Sequence, residues 1–331
     1  MENNEIVYEY KPFLRVYKDG RKERIFVGKS IPPSMEDPKT GVSSKDVIVT
    51  PENGAPSRIY LPKLTQQQES LNKKFPLLLY FHEGAFCAQS PSSPIYHNYV
   101  SSLVAEANVV AVSVGFRLVP EHHLPVAYDD SWRAIEWVLS HSTGHGSESW
   151  LNNYVDYNRV FVAGDSSGAN ISHNMAMRLA RTHHEKKVPH GFQFSGVVLI
   201  HPYFWDVKPI GSEDKDMSKK IIMDNIWPNI CPSSPGYDDP LVNPCKDPNL
   251  SSLGCKRVLV FVAGEDLLRD RGWLYYETLR KSKWNGVVEI MESQGEDHVF
   301  NLLKPDSEKA VKMKELVISF LNHQEHIPSR I

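Results

Sequence analysis

Cysteine is scarce in this chain. Four cysteines in 331 residues, Cys87, Cys231, Cys245 and Cys255, are too few for a disulfide framework, and none stands in a C-x-x-C pair. They argue against a zinc site and predict reduced thiols in a cytoplasmic protein. Excess charge of one sign is also lacking. Lys+Arg 37 against Asp+Glu 40 leaves a net charge of −3, which marks no surface for nucleic acid or an anionic membrane. No uninterrupted apolar run approaches the ~20 residues that a membrane helix needs. The first residues, Met1-Glu2-Asn3-Asn4-Glu5, are acidic and polar, unlike a secretory or organellar leader. There is no internal repeat, low-complexity tract or long flexible linker.

What is present is ordinary globular material, 41% hydrophobic and 23% charged. From about Phe75 onward, apolar runs alternate with helical patterns. Leu77 to Phe81, Val109 to Val114, Arg159 to Ala163, Gly196 to Ile200, Arg257 to Val262 and Val287 to Ile290 read as strands. Tyr99 to Ala107, Asp129 to Ser140, Ala169 to Arg181, Gly272 to Lys281 and Glu308 to Leu321 read as helices. Continuous apolar strands separated by helices predict an α/β fold, with a mostly parallel central sheet covered by helices on both faces. Two stretches break the alternation: residues 1–45, and residues 201–249, rich in proline, aspartate and aromatics. Both are assigned as cap segments of a single domain spanning 1–331, lying over the sheet edge where such folds bind ligands.

The most specific stretch is Gly164-Asp165-Ser166-Ser167-Gly168, set between a strand and a helix. Strand, sharp turn on serine, then helix is a nucleophile elbow. It needs small residues two before and two after the serine, and the helix N-terminus aims its free N–H groups at the reacting centre. A nucleophilic serine needs a base, a group to orient that base, and donors for an oxyanion. In this architecture the triad runs serine, acid, histidine along the chain. Asp266 follows the strand ending at Val262, and His298 lies in the loop before the last helix, so both fit the order. Asp266 has a competing role as a helix cap, and His201, at another strand end, competes with His298. The loop after Phe81 reads His82-Glu83-Gly84-Ala85-Phe86. Its Gly84 and Ala85 N–H groups, with that of Ser167, are the expected oxyanion donors.

These residues resemble the plant carboxylesterases of the hormone-sensitive-lipase-like branch of α/β-hydrolases. The likeness runs nearly end to end. It includes Pro12 to Gly20, Phe116 to His122, Leu124 to Asp130, Gly164 to Asn170, His201 to Trp205, Asp266 to Gly272 and Gly295 to Phe300. It implies a catalytic Ser166–Asp266–His298 triad and an N-terminal helical cap. It also implies a small-molecule ester as substrate and no metal or organic cofactor. The expected assembly is a monomer or homodimer.

One position departs from the family, which reads His-Gly-Gly-Gly or His-Gly-Gly-Ala in this loop. Glu83 replaces the first glycine and Ala85 the third. Glu83 is therefore a candidate acid or base, unless it turns away into a polar pocket or toward Arg117. It favours a second expectation: a dehydratase or cyclase on the same scaffold, with His298 and Glu83 moving protons. A third, a hormone receptor of the gibberellin-receptor kind, requires loss of the catalytic histidine, which this chain keeps. Phe86, Phe116 and Phe204 are candidate pocket walls, although buried aromatics more often belong to the core.

Overall fold

The apolar runs form one eight-stranded sheet in the computed structural model, which describes residues 5–26, 28–49, 54–66, 68, 72–182 and 192–322. Strands β4 (Ser43–Val47), β5 (Ser57–Leu61), β6 (Phe75–Phe81), β7 (Val110–Val114), β8 (Val155–Asp165), β9 (Gly196–Ile200), β10 (Arg257–Ala263) and β11 (Val287–Ser293) take the order β11-β10-β9-β8-β6-β7-β5-β4. All neighbours from β11 to β7 run parallel. Only the edge formed by β4 and β5 is antiparallel.

Alternate residues of each strand feed two cores. Leu77, Leu79 and Phe81 face one, and Leu78 and Tyr80 the other. On the first face pack helices α2 (Val126–Ser140), α4 (Ser167–Arg181) and α6 (Arg269–Lys281), through Ile135, Met175 and Leu279. On the second pack α1 (Pro94–Ala107) and α8 (Glu308–Asn322), through Leu103 and Phe320. With both faces covered, a parallel strand has no polar side, which is why these strands read as continuous apolar runs. Two short helices, α3 (Ser149–Tyr154) and α7 (Phe300–Leu303), complete the frame. Among the described residues, no helix is long and apolar enough to cross a membrane.

The N-terminal segment departs from the expected helix. Its described residues form a small antiparallel sheet of β1 (Ile6–Tyr10), β2 (Leu14–Tyr17) and β3 (Lys22–Arg24). The cause is local. Gly20, at φ +85°, closes a tight turn in which its N–H donates to the Tyr17 carbonyl, and β3 folds back on β2. Residues 43–45, inside the expected 1–45 segment, belong instead to the edge strand of the main sheet. The helical part of the cover is α5 (Met217–Ile230), within 201–249. Asp216 caps it by accepting from the Ser218 and Lys219 N–H groups. The Tyr8 hydroxyl donates to the Ile222 carbonyl at 3.2 Å, joining the small sheet to this helix.

Candidate active site

The elbow is built by close approach of backbones. Ser166 sits at φ +52°, ψ −115°, a conformation a serine holds only when its surroundings fix it. Its N–H donates to the Ile200 carbonyl, and its own carbonyl accepts from the Asn170 and Tyr203 N–H groups. A Cβ on Gly164 would stand 2.4 Å from the Gly168 carbonyl carbon, and one on Gly168 would stand 2.0 Å from the Phe81 carbonyl oxygen. Neither position admits a side chain.

Ser166, Asp266 and His298 line one cavity of about 500 Å³. Asp266 follows β10 and is buried. Its Oδ1 accepts from the Leu268 N–H at 3.0 Å, and its Oδ2 accepts from His298 Nδ1 at 2.7 Å. Asp266 therefore holds the imidazole rather than capping α6, whose first turn it only precedes. Burial pulls the His298 pKa down, but the charge and hydrogen bond of Asp266, with the charges of Glu83 and Asp165, carry it up to about 9. Asp266 goes the other way: burial raises it, and the His298 charge and bond lower it further than that.

His201, the rival histidine, is fully buried beside this pair and serves the loop. Val299, left-handed at φ +50° directly after His298, donates its N–H to His201 Nδ1 at 3.0 Å. Burial depresses the His201 pKa to about 3, so the ring is neutral. Ligand atoms of His201, Asp266 and His298 lie within 4.8 Å of one another, the spacing of a metal cluster. Asp266 and His298 bond each other and His201 Nδ1 holds Val299, while His201 Nε2 is buried without a hydrogen-bond partner among the described residues.

The loop after β6 takes an unusual path. Gly84 lies at φ +122°, and Ala85 and Phe86 at +50° and +61°. A Cβ on Gly84 would meet the Ala88 carbonyl oxygen at 2.3 Å, so that position requires glycine. Ala85 lines the cavity beside Ser166. Glu83 does not reach Arg117, whose guanidinium and N–H are taken by Asp130 at 2.7–3.0 Å. Its own N–H donates to the Tyr96 hydroxyl at 2.9 Å. Burial raises its pKa more than the His298 charge and the Gly84 N–H lower it.

Sequence reasoning passed over Asp165. Fully buried, it accepts from Tyr80 at 2.8 Å and Tyr96 at 2.6 Å. Burial, then the Glu83 charge, push its pKa to about 8 against those two hydroxyls. Its place inside the elbow motif was the available signal. The three candidate aromatic walls belong to the core and do not line the cavity. Phe116 stacks on His82 at 4.4 Å, Phe86 packs edge-on to Tyr128 and Tyr203, and Phe204 packs on His173 and Tyr275, all within the core. The apolar cavity wall comes from Tyr10, Tyr203, Ile222, Met223, Ile226, Leu267 and Leu268.

A strained serine elbow facing a histidine–aspartate pair on a doubly covered parallel sheet is the arrangement of one fold family, and residues 78–302 match its model, described as the alpha/beta hydrolase fold. The chain belongs to that family. It lies in the branch that holds plant carboxylesterases and 2-hydroxyisoflavanone dehydratases. It is 44% identical over 323 residues to "Probable carboxylesterase 2" of Arabidopsis thaliana, covering 97% of this chain and 98% of that one. It is 43% identical over 326 residues to 2-hydroxyisoflavanone dehydratase of Glycyrrhiza echinata, covering 96% and 97%. A hyperthermophilic esterase from the archaeon Pyrobaculum calidifontis superposes with a TM-score of 0.66 at 26% identity, covering 84% of this chain and 85% of that one.

Proposed function

We propose that this α/β-hydrolase hydrolyses a small carboxylic ester of plant-metabolite type through Ser166, His298 and Asp266. The observation that carries the reading is the strained Ser166 sharing one cavity with a His298–Asp266 pair bonded at 2.7 Å. Ser166 Oγ attacks the acyl carbon while His298 Nε2 takes its proton, and Asp266 keeps Nδ1 protonated and the ring aligned. The Gly84, Ala85 and Ser167 N–H groups hold the developing oxyanion. His298 then protonates the departing alcohol, and water attacks the acyl-enzyme by the same route in reverse. No cofactor enters these steps. The described residues of the 1–45 segment that precede β4, with residues 201–249, act as a cap over the single catalytic domain, since Glu9, Tyr10, Lys11 and residues of α5 line the cavity. The free cysteines fit a reducing compartment such as the cytoplasm, and the working assembly is a monomer or homodimer.

The test is turnover of p-nitrophenyl acetate and butyrate by wild type and Ser166→Ala. Wild type should turn over and be labelled by a fluorophosphonate, and Ser166→Ala should lose about a thousandfold or more. Undiminished turnover by Ser166→Ala would remove the serine from the reaction. A second reading has one specific observation behind it. Glu83 stands next to Gly84 in the oxyanion loop, where burial raises its pKa and so favours a proton on it, and a relative at 43% identity is named a dehydratase. In that reading His298 removes a proton from carbon and Glu83 protonates the departing hydroxyl. A wild type inert to esters but active on a β-hydroxy carbonyl compound would establish it.

A further inference from the structure

Resting on the ester reading, we propose that Tyr96 is a positioning residue of this site: its hydroxyl bridges the oxyanion loop to the nucleophile elbow and so sets where the oxyanion donors stand relative to Ser166. The argument starts from topology. The oxyanion loop leaves β6 and the elbow leaves β8, and these two strands are paired. Their ladder ends at the pair Phe81 and Gly164. Beyond it, the register of the sheet no longer holds Glu83 to Ala85 against Asp165 and Ser166. Tyr96 spans that gap. It stands in the first turn of α1, fully buried, and reaches both segments with one oxygen. The hydroxyl accepts from the Glu83 N–H at 2.9 Å and donates to Asp165 Oδ2 at 2.6 Å. Asp165 directly precedes the nucleophile, and Glu83 directly precedes the Gly84 donor.

The loop needs such a hold. Gly84, Ala85 and Phe86 are consecutive residues at positive φ, a path that only the surroundings can fix. Its other anchors lie within the loop. His82 Nδ1 donates to the Glu83 carbonyl at 2.8 Å, and the Gly84 carbonyl accepts from the Cys87 and Ala88 N–H groups at 2.7 and 3.0 Å. These bonds orient the Gly84 and Ala85 N–H groups, because each carbonyl shares a peptide plane with the N–H that follows it. None of these bonds reaches the elbow. An oxyanion donor acts at about 3 Å from the developing charge, and a shift of about 1 Å costs about a hundredfold. The distance across to Ser166 therefore depends on the Tyr96 bridge. Tyr80 is the natural comparison. It is equally buried, and its hydroxyl donates to Asp165 Oδ1 at 2.8 Å, on the side away from the loop bond.

The experiment compares Tyr96→Phe and Tyr80→Phe with wild type on p-nitrophenyl butyrate, per site titrated with a fluorophosphonate. Each variant takes one partner from Asp165, but Tyr96→Phe alone of the two frees the Glu83 N–H. Tyr96→Phe should lower kcat about tenfold or more with KM held within about threefold, and Tyr80→Phe should keep kcat within about threefold. Butyl trifluoromethyl ketone reads the hole directly: Ser166 Oγ bonds its carbonyl carbon, the serine proton passes to His298, and the carbonyl oxygen becomes an oxyanion. Its inhibition constant should rise in Tyr96→Phe by about the factor that kcat falls, and stay near the wild-type value in Tyr80→Phe. Where Tyr96→Phe does not fold, Tyr96→Phe/Asp165→Asn removes the bridge without leaving a carboxyl short of its partner, and the same losses are expected. Hydrogen exchange over residues 82–88 needs no turnover; it should quicken about tenfold in Tyr96→Phe and not in Tyr80→Phe. A wild type inert to the ester, with that exchange response intact, sinks the ester reading and leaves the bridge standing. An active wild type whose kcat and inhibition constant are unmoved by Tyr96→Phe, or moved equally by Tyr80→Phe, overturns the proposal whatever the stability of the variants.

Discussion

Gly168→Ala is the sharpest test of how the nucleophile is held. The added Cβ would lie 2.0 Å from the Phe81 carbonyl oxygen, 2.6 Å from its carbon and 2.8 Å from the His82 carbonyl oxygen. An unstrained contact needs roughly 3.3 Å or more, so something must move by over ~1 Å. The atoms met are main chain at the end of β6, which is paired on both sides by β7 and β8, so no side chain can swing aside. Either the start of α4 lifts away or the oxyanion loop is pushed off the serine. Overpacking of this kind costs about 1–3 kcal/mol of stability. A displacement of that size between nucleophile and oxyanion donors costs about a hundredfold in rate. The assay is kcat/KM on p-nitrophenyl butyrate, normalised to sites titrated with a fluorophosphonate, beside the urea midpoint. Gly144→Ala is the control, because Gly144 also lies at positive φ but has open space around it. It should lose a little stability and no activity. A Gly168→Ala enzyme with wild-type rate per site and an unmoved urea midpoint would refute the close-packed elbow.

Three further outcomes follow from the histidine and its supports. Asp266→Asn keeps the shape of the 2.7 Å contact but presents the wrong partner to Nδ1; kcat should fall about ten-thousandfold while urea unfolding changes far less. His298 must be neutral to act, and its pKa is carried up to about 9, so kcat/KM should rise with pH through that value; Glu83→Gln should move this limb to lower pH. The sign for stability is opposite: a histidine raised from 6.5 in the folded state lends stability that is full below pH 6.5 and lost as pH rises through about 9, which urea titrations across that window will read. His201→Ala removes the acceptor of the Val299 N–H and should lower kcat about tenfold or more with little change in KM; His201→Asn, whose amide oxygen can stand in for Nδ1, should recover most of the loss.

What was legible in the sequence is what the chain spells locally. Leu77 to Phe81 and Val258 to Val262 are buried on both sides, and that environment leaves no charged residue to blur the pattern. The elbow is legible because steric crowding at Gly164 and Gly168 forbids alternatives. Asp266 and His298 are legible only through their order after Ser166, since nothing near either residue in the sequence requires the other. The N-terminal sheet was missed because strands of three to five residues, two of them partly exposed, carry a weak period, and the resemblance pointed to helix; the Lys18-Asp19-Gly20 turn was the local signal for strands. The cap helix was hidden by Pro228 in its last turn, though Asp216 marked its start.

The orientation of Glu83 belongs to a different category, because it is decided entirely by distant residues. Asp130, thirteen residues beyond Arg117, takes the guanidinium that would have drawn Glu83 away. Tyr96 fixes the Glu83 backbone while bonding Asp165, and so ties the oxyanion loop to the elbow. A buried carboxyl is tolerated only where protonation, a hydrogen bond or a cation relieves it. Here the Gly84 N–H and the His298 charge supply part of that relief, and burial still prevails. The remainder comes from a proton, which burial favours on Glu83.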